Sequence, residues 1–157
     1  MARDEKAIAD YVEQSAAALT AAGFPRMPAR VLMALMVSDS DGLTAPELAD
    51  YLGVSAAAIS GAVRYLQTVR MVHRVSQQGS RLDRYDLPAH AWYAATLGHN
   101  PTYDTILALA KAARPAFGNE DATGAQRVQE MAEFFTFVER RLPQLLEEWY
   151  AQRPARP

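Results

Sequence analysis

The stretch TAPELADYLGVSAAAISGAVRYL, residues 44–66, decides how this chain folds. Thr44 and Glu47 have the spacing of a capping box, in which two side chains satisfy backbone N–H groups at a helix start, and Pro46 suits the first turn. A short helix is expected over 45–53 and a longer one over 55–69, with Gly53 and Val54 between them and Ser55 as the second cap. Ala49 is small where the two helices must cross, and Gly53 can take the tight turn. Leu48, Leu52, Ile59, Ala62 and Leu66 supply the apolar positions that fix one helix across the other. So many matching positions specify a helix-turn-helix.

At about 100° per residue, Ile59, Ala62, Val63 and Leu66 of the second helix turn inward. Ala57, Gly61, Arg64 and Thr68 turn outward, with Ser60 and Tyr65 at the margin. A face this small and polar lets a helix sit deep in a DNA major groove, where Arg64 would reach a guanine edge or a phosphate. The bland alternative is a solvated Arg64 and an incidental Gly61. Glycine inside a helix costs about 1 kcal/mol relative to alanine, however, which favours a reason such as close approach to a partner.

Working outward, Met71 to Ser76 and Leu82 to Leu87 are rich in strand formers, and Gln77-Gln78-Gly79-Ser80 makes a polar hairpin tip. Alternation sends Tyr85 and Leu87 to the core and Arg84 and Asp86 outward, while Arg81 sits at the tip with Ser80. Arg81 and Arg84 are then expected against the phosphate backbone or in the minor groove. Upstream, helices are expected over 4–22 and 27–38, and a turn over Ser38 to Gly42. Downstream, helices are expected at 89–98, 102–114 and 124–150. The last carries Val128, Met131, Phe135, Val138, Leu142, Leu145 and Trp149 at alternating spacings of three and four, a dimerisation seam that Phe134, Phe137 and Leu146 widen. Pro143 is expected to kink that helix or to start a separate terminal one.

The expected class is therefore mainly α with a small β-wing. It is a single domain over 1–157, with a winged lobe over 27–88 and dimerisation helices over 4–22 and 89–152. Net charge is −2, yet Ser55 to Tyr85 holds five arginines against Asp83 alone, a local net of +4. That suits a local contact with DNA better than coating by bulk charge. The chain has no cysteine, which excludes disulfide scaffolds, thiolate metal sites and cysteine nucleophiles. His73, His90 and His99 lack metal-ligand spacing, and neither a phosphate-cradling loop nor an activated nucleophile is present. The expectation is no enzyme, no cofactor and no metal. Without an apolar stretch long enough to span a bilayer or an apolar N-terminal signal core, the expected location is the cytoplasm.

The order helix, helix, helix-turn-helix, wing and long C-terminal helices resembles the MarR family over essentially the whole chain. Gly23-Phe24-Pro25-Arg26-Met27-Pro28-Ala29-Arg30-Val31, then Leu43 to Leu66, then Gly79-Ser80-Arg81-Leu82-Asp83-Arg84-Tyr85, is similar to its GbsR-like branch. The resemblance implies a homodimer on a pseudo-palindromic double-stranded operator, often a repressor released by a small-molecule effector. It implies that Ser55, Ala56, Ala57, Ser60, Gly61 and Arg64 face the major groove, and it matches Asp83 with Arg84 to the family's wing motif. Tyr65, Thr68, Ser80 and Arg81 complete the expected DNA surface. An effector pocket would draw on Phe24, Met27, Trp92 and Tyr93, although aromatic residues at helical spacing more often simply pack. Where the family has glycine at the end of the recognition helix this chain has Arg70, and a non-glycine residue there costs about 1 to 2 kcal/mol in left-handed backbone, which leaves the helix ending and the wing angle open. The rival reading is a winged-helix module that binds protein; such a module would keep the core pattern but lose the outward arginines.

Overall fold

The computed structural model describes residues 3–76, 82–88, 101–118 and 122–152. The chain divides into one unit over Met1–Ala95 and another over Thr96–Pro157. In the first, α1 (Glu5–Ala21), α2 (Arg26–Met36), α3 (Ala45–Leu52) and α4 (Ala56–Thr68) accompany strands β1 (Leu43–Thr44), β2 (His73–Val75) and β3 (Arg84–Asp86). Helix α2 is its centre: Pro28, Ala29 and every residue from Val31 to Leu35 are buried. Burial this wide follows because a helix that is apolar nearly all round must be packed from several directions. Val12 and Ala16 of α1, Leu48 and Leu52 of α3, and Ile59, Ala62, Val63 and Leu66 of α4 complete one core with it.

Polar contacts fix the helix directions. Arg30 of α2 donates from Nε and Nη2 to Glu13 Oε1 of α1 at 2.9 and 2.6 Å, and from Nη2 to the Leu52 carbonyl at the end of α3 at 3.0 Å. The capping box is complete: the Glu47 N–H donates to Thr44 Oγ1 at 3.3 Å, and the Thr44 N–H donates to Glu47 Oε2 at 2.7 Å. Gly53 ends α3 in left-handed backbone at φ 64°. Arg70 does the same after α4 at φ 60°. Its N–H donates to the Gln67 carbonyl at 3.1 Å and the Met71 N–H to the Leu66 carbonyl at 2.9 Å, the two bonds of a Schellman ending. The helix ending left open by Arg70 is thus the one glycine would give, with the strain retained.

The sheet is antiparallel in the order β1-β3-β2. Leu43 pairs with Tyr85 and Thr44 with Arg84 on one edge of β3, while His73, Arg74 and Val75 pair with Asp86, Tyr85 and Arg84 on the other. β1 escapes a reading of the sequence because two residues are too few for an alternation signal.

The second unit holds α5 (Pro101–Ala113), a 3-10 turn (Arg114–Phe117) and α6 (Thr123–Gln152). Tyr103 of α5 stacks on Phe135 of α6 with ring centroids 4.7 Å apart. α6 runs unbroken through Pro143, so no separate terminal helix begins there. The helix expected at 89–98 lies outside the described residues, among which no helix is long and apolar enough to cross a membrane.

Candidate nucleic-acid interface

Helix α4 presents two opposite faces. Ile59, Ala62, Val63 and Leu66 are buried, while Ser55, Ala56, Ala57, Ser60, Gly61, Arg64 and Thr68 are exposed. Ser55 Oγ accepts from the Ala58 N–H at 3.2 Å, and Thr68 Oγ1 donates to the Arg64 carbonyl at 3.0 Å, so both hydroxyls stay close to the backbone. A Cβ added at Gly61 would meet nothing within 4 Å; no packing among the described residues requires a glycine there. Tyr65 differs from the rest. Its ring meets Phe24 edge to face at 5.5 Å and packs against the core, which turns it away from the outward surface.

The arginines separate by what holds them. Among the described residues Arg64 and Arg70 make no ion pair and are exposed. Arg74 Nε lies 2.9 Å from Asp83 Oδ1 across the hairpin. Arg84, expected to project outward, instead folds its guanidinium back. Nη2 and Nε donate to the Gly42 carbonyl at 2.8 and 3.2 Å, and Nη2 lies 3.4 Å from Glu47 Oε2. The physical reason is β1: once that strand lies beside β3, the Gly42 carbonyl and the start of α3 come within reach of Arg84. Of the two residues matched to the family's wing motif, Asp83 is held by Arg74 and Arg84 by Gly42 and Glu47. The Glu47 carboxyl is held below its ordinary range, chiefly by the Thr44 N–H and hydroxyl, with the charge of Arg84 adding to them against the cost of burial. Ser80 and Arg81 lie outside the described residues.

The C-terminal seam is split. Val128 lines a cleft with Leu107 and Ala110 of α5, Phe135 stacks on Tyr103, and Val138 and Leu142 are half-buried. Met131, Leu145 and Trp149 are exposed, as are Phe134 at 60% and Phe137 at 61%. An a/d pattern cannot tell which partner each position meets, and here one part of the stripe faces α5 while another is exposed. Of the expected effector residues, Phe24 and Met27 pack against the core. Trp92 and Tyr93 lie outside the described residues. A cleft of about 660 Å³ lies between α5, the 3-10 turn and α6. The described residues contain no cluster of His, Asp or Glu able to hold a metal.

A model of the MarR family matches residues 22–81, and a model described as "MmpR5-like MarR family transcriptional regulator" matches residues 90–152. The chain belongs to the MarR family of transcriptional regulators. As a MarR protein it is a DNA-binding winged helix and not an enzyme. A crystal structure of "a transcriptional regulator" is similar to it with a TM-score of 0.81 and 25% identity, over 93% of this chain and 99% of that one. A substituted form of MepR from a multidrug-resistant S. aureus clinical isolate is similar at a TM-score of 0.44 and 16% identity, over 85% of this chain and 94% of that one. No curated protein sequence matches the chain.

Proposed function

We propose that this MarR protein is a homodimeric repressor that inserts the exposed face of α4 into successive major grooves of a pseudo-palindromic operator. One observation carries the reading: on a helix whose other face is fully buried, Ala57, Ser60, Gly61 and Arg64 form a small, open surface around an arginine without an ion-pair partner among the described residues. Small residues allow close approach, and a guanidinium can bond two acceptors of a guanine. Ser55, Ala56 and Ala57 bring the positive end of the helix toward phosphate, and Thr68 flanks the same face. Arg81, with Ser80 at the wing tip, is assigned to the flanking backbone from the sequence.

The uncovered apolar residues of α6 support the dimer, because a helix face of this size exposed on one chain fits a symmetric partner. Release by a small molecule would use the α5–α6 cleft, whose volume suits a compact ligand. Assignment to the GbsR-like branch rests on Gly23 to Val31 and the two further stretches that share the resemblance. The test is titration of the protein against its own upstream promoter duplex and a random duplex at two salt concentrations. Tight, salt-sensitive and sequence-selective binding, abolished in the folded R64A/R81A double variant, is expected. Failure to bind either duplex at low salt would replace this reading with the protein-binding winged helix.

A further inference from the structure

We infer that Arg84 is a positioning residue which braces the wing against the start of the helix-turn-helix, and that its charge is used inside the protein and not on phosphate. The inference rests on the DNA-binding reading above. Arg84 sits on the central strand of the sheet, with its side chain 22% exposed, and holds the Gly42 carbonyl with two N–H groups while pairing with Glu47. That carbonyl is available because Gly42 comes unusually close to β3: a Cβ there would lie 2.7 Å from the Tyr85 carbonyl oxygen. The same glycine has φ +86°, a second reason that a side chain is excluded.

Beyond the packing of Leu43, Tyr85 and Leu87 on the core, the polar tie between wing and helix-turn-helix is thin without Arg84. The β1–β3 ladder is only two residues long, and the Thr44 N–H within it is committed to the Glu47 carboxylate. Glu47 thus serves two purposes, capping α3 and receiving Arg84, so the orientation of the wing is transmitted to the helix that packs directly on α4. The Arg74–Asp83 pair restrains the other side of the hairpin. Arg84 and Arg74 accordingly set where the wing lies, while Arg64 is left to meet DNA.

A brace and a phosphate contact differ in measurable ways. A phosphate contact contributes about 0.9 to the slope of log affinity against log salt, and lysine replaces arginine there at little cost because it keeps the charge. A brace needs the planar fork and leaves the salt slope alone. Dissociation constants for the promoter duplex should therefore be measured over a salt series for the wild type, Arg84→Lys, Arg84→Gln and Glu47→Gln, with folding checked by thermal unfolding. We expect roughly tenfold weaker binding for both Arg84 variants with the wild-type slope, as for loss of a charge-assisted bond. Glu47→Gln keeps a residue able to cap and removes a negative charge, yet is expected to weaken binding. Wild-type affinity in Arg84→Lys, a slope reduced by about one in Arg84→Gln, or tighter binding in Glu47→Gln would overturn the brace. If Arg84→Gln fails to fold, the other two variants decide. A wild type that binds neither promoter nor random duplex would instead overturn the DNA-binding reading, and the brace with it.

Discussion

Gly61 occupies a helical position where alanine would be more stable by roughly 0.5 to 1 kcal/mol, and the space beside it is empty. Gly61→Ala is expected to raise Tm by about 2 °C while weakening DNA binding, because the added methyl group intrudes only when a groove is present. Calorimetry and titration of one preparation check both signs; a gain in stability with unchanged affinity would remove Gly61 from the interface. Arg70 makes the complementary case. It holds φ 60° with a full side chain, and Arg70→Gly is expected to stabilise by about 1 kcal/mol, read as a shift in the denaturant midpoint at constant m-value. At this scale the sequence was legible where a backbone rule applies, as at Gly53 and Thr44. It was not legible at Arg84, whose direction depends on a carbonyl more than forty residues away in the chain.

The elements were read correctly where periodicity ran long. The inward residues of α4 match the buried set, and the capping box marked the start of α3. β1 was missed for want of length, and the α6 seam was read as a single surface although α5 covers part of it. Two predictions belong here. Glu47 is depressed in the folded protein, so it contributes stability above its unfolded value of about 4.3 and loses it as pH falls through the folded value. The stability difference between wild type and Glu47→Gln should accordingly shrink below about pH 4.3, which denaturant titrations at several acidic pH values would show. On α6, replacing Phe134 and Leu145 together by glutamate places charge on the exposed stripe and should halve the mass measured by light scattering, with the helical signal retained. A double variant that keeps the wild-type mass would place the dimer contact elsewhere.

For the whole molecule, family and architecture were legible because a many-position pattern and an element order identify them. The split of the arginines was not, since charge counted along a sequence ignores the partners that folding supplies. A net of +4 over Ser55 to Tyr85 is spread over arginines of different roles: Arg74 and Arg84 are engaged within the chain, and Arg64 and Arg70 are exposed without an ion pair among the described residues. On the proposed reading specificity comes from few side chains per subunit, and a second recognition helix one DNA turn away would supply the rest.

The central claim, that the exposed face of α4 enters the major groove, has a direct test because the chain contains no cysteine. Ser60→Cys introduces a unique thiol on that face for a tethered DNA-cleaving chelate. The account predicts cleavage of the bound promoter duplex in two patches, about 10 base pairs or a multiple apart, each centred on a major groove. A variant that binds the duplex but leaves it uncut, or cuts it evenly, would contradict the claim.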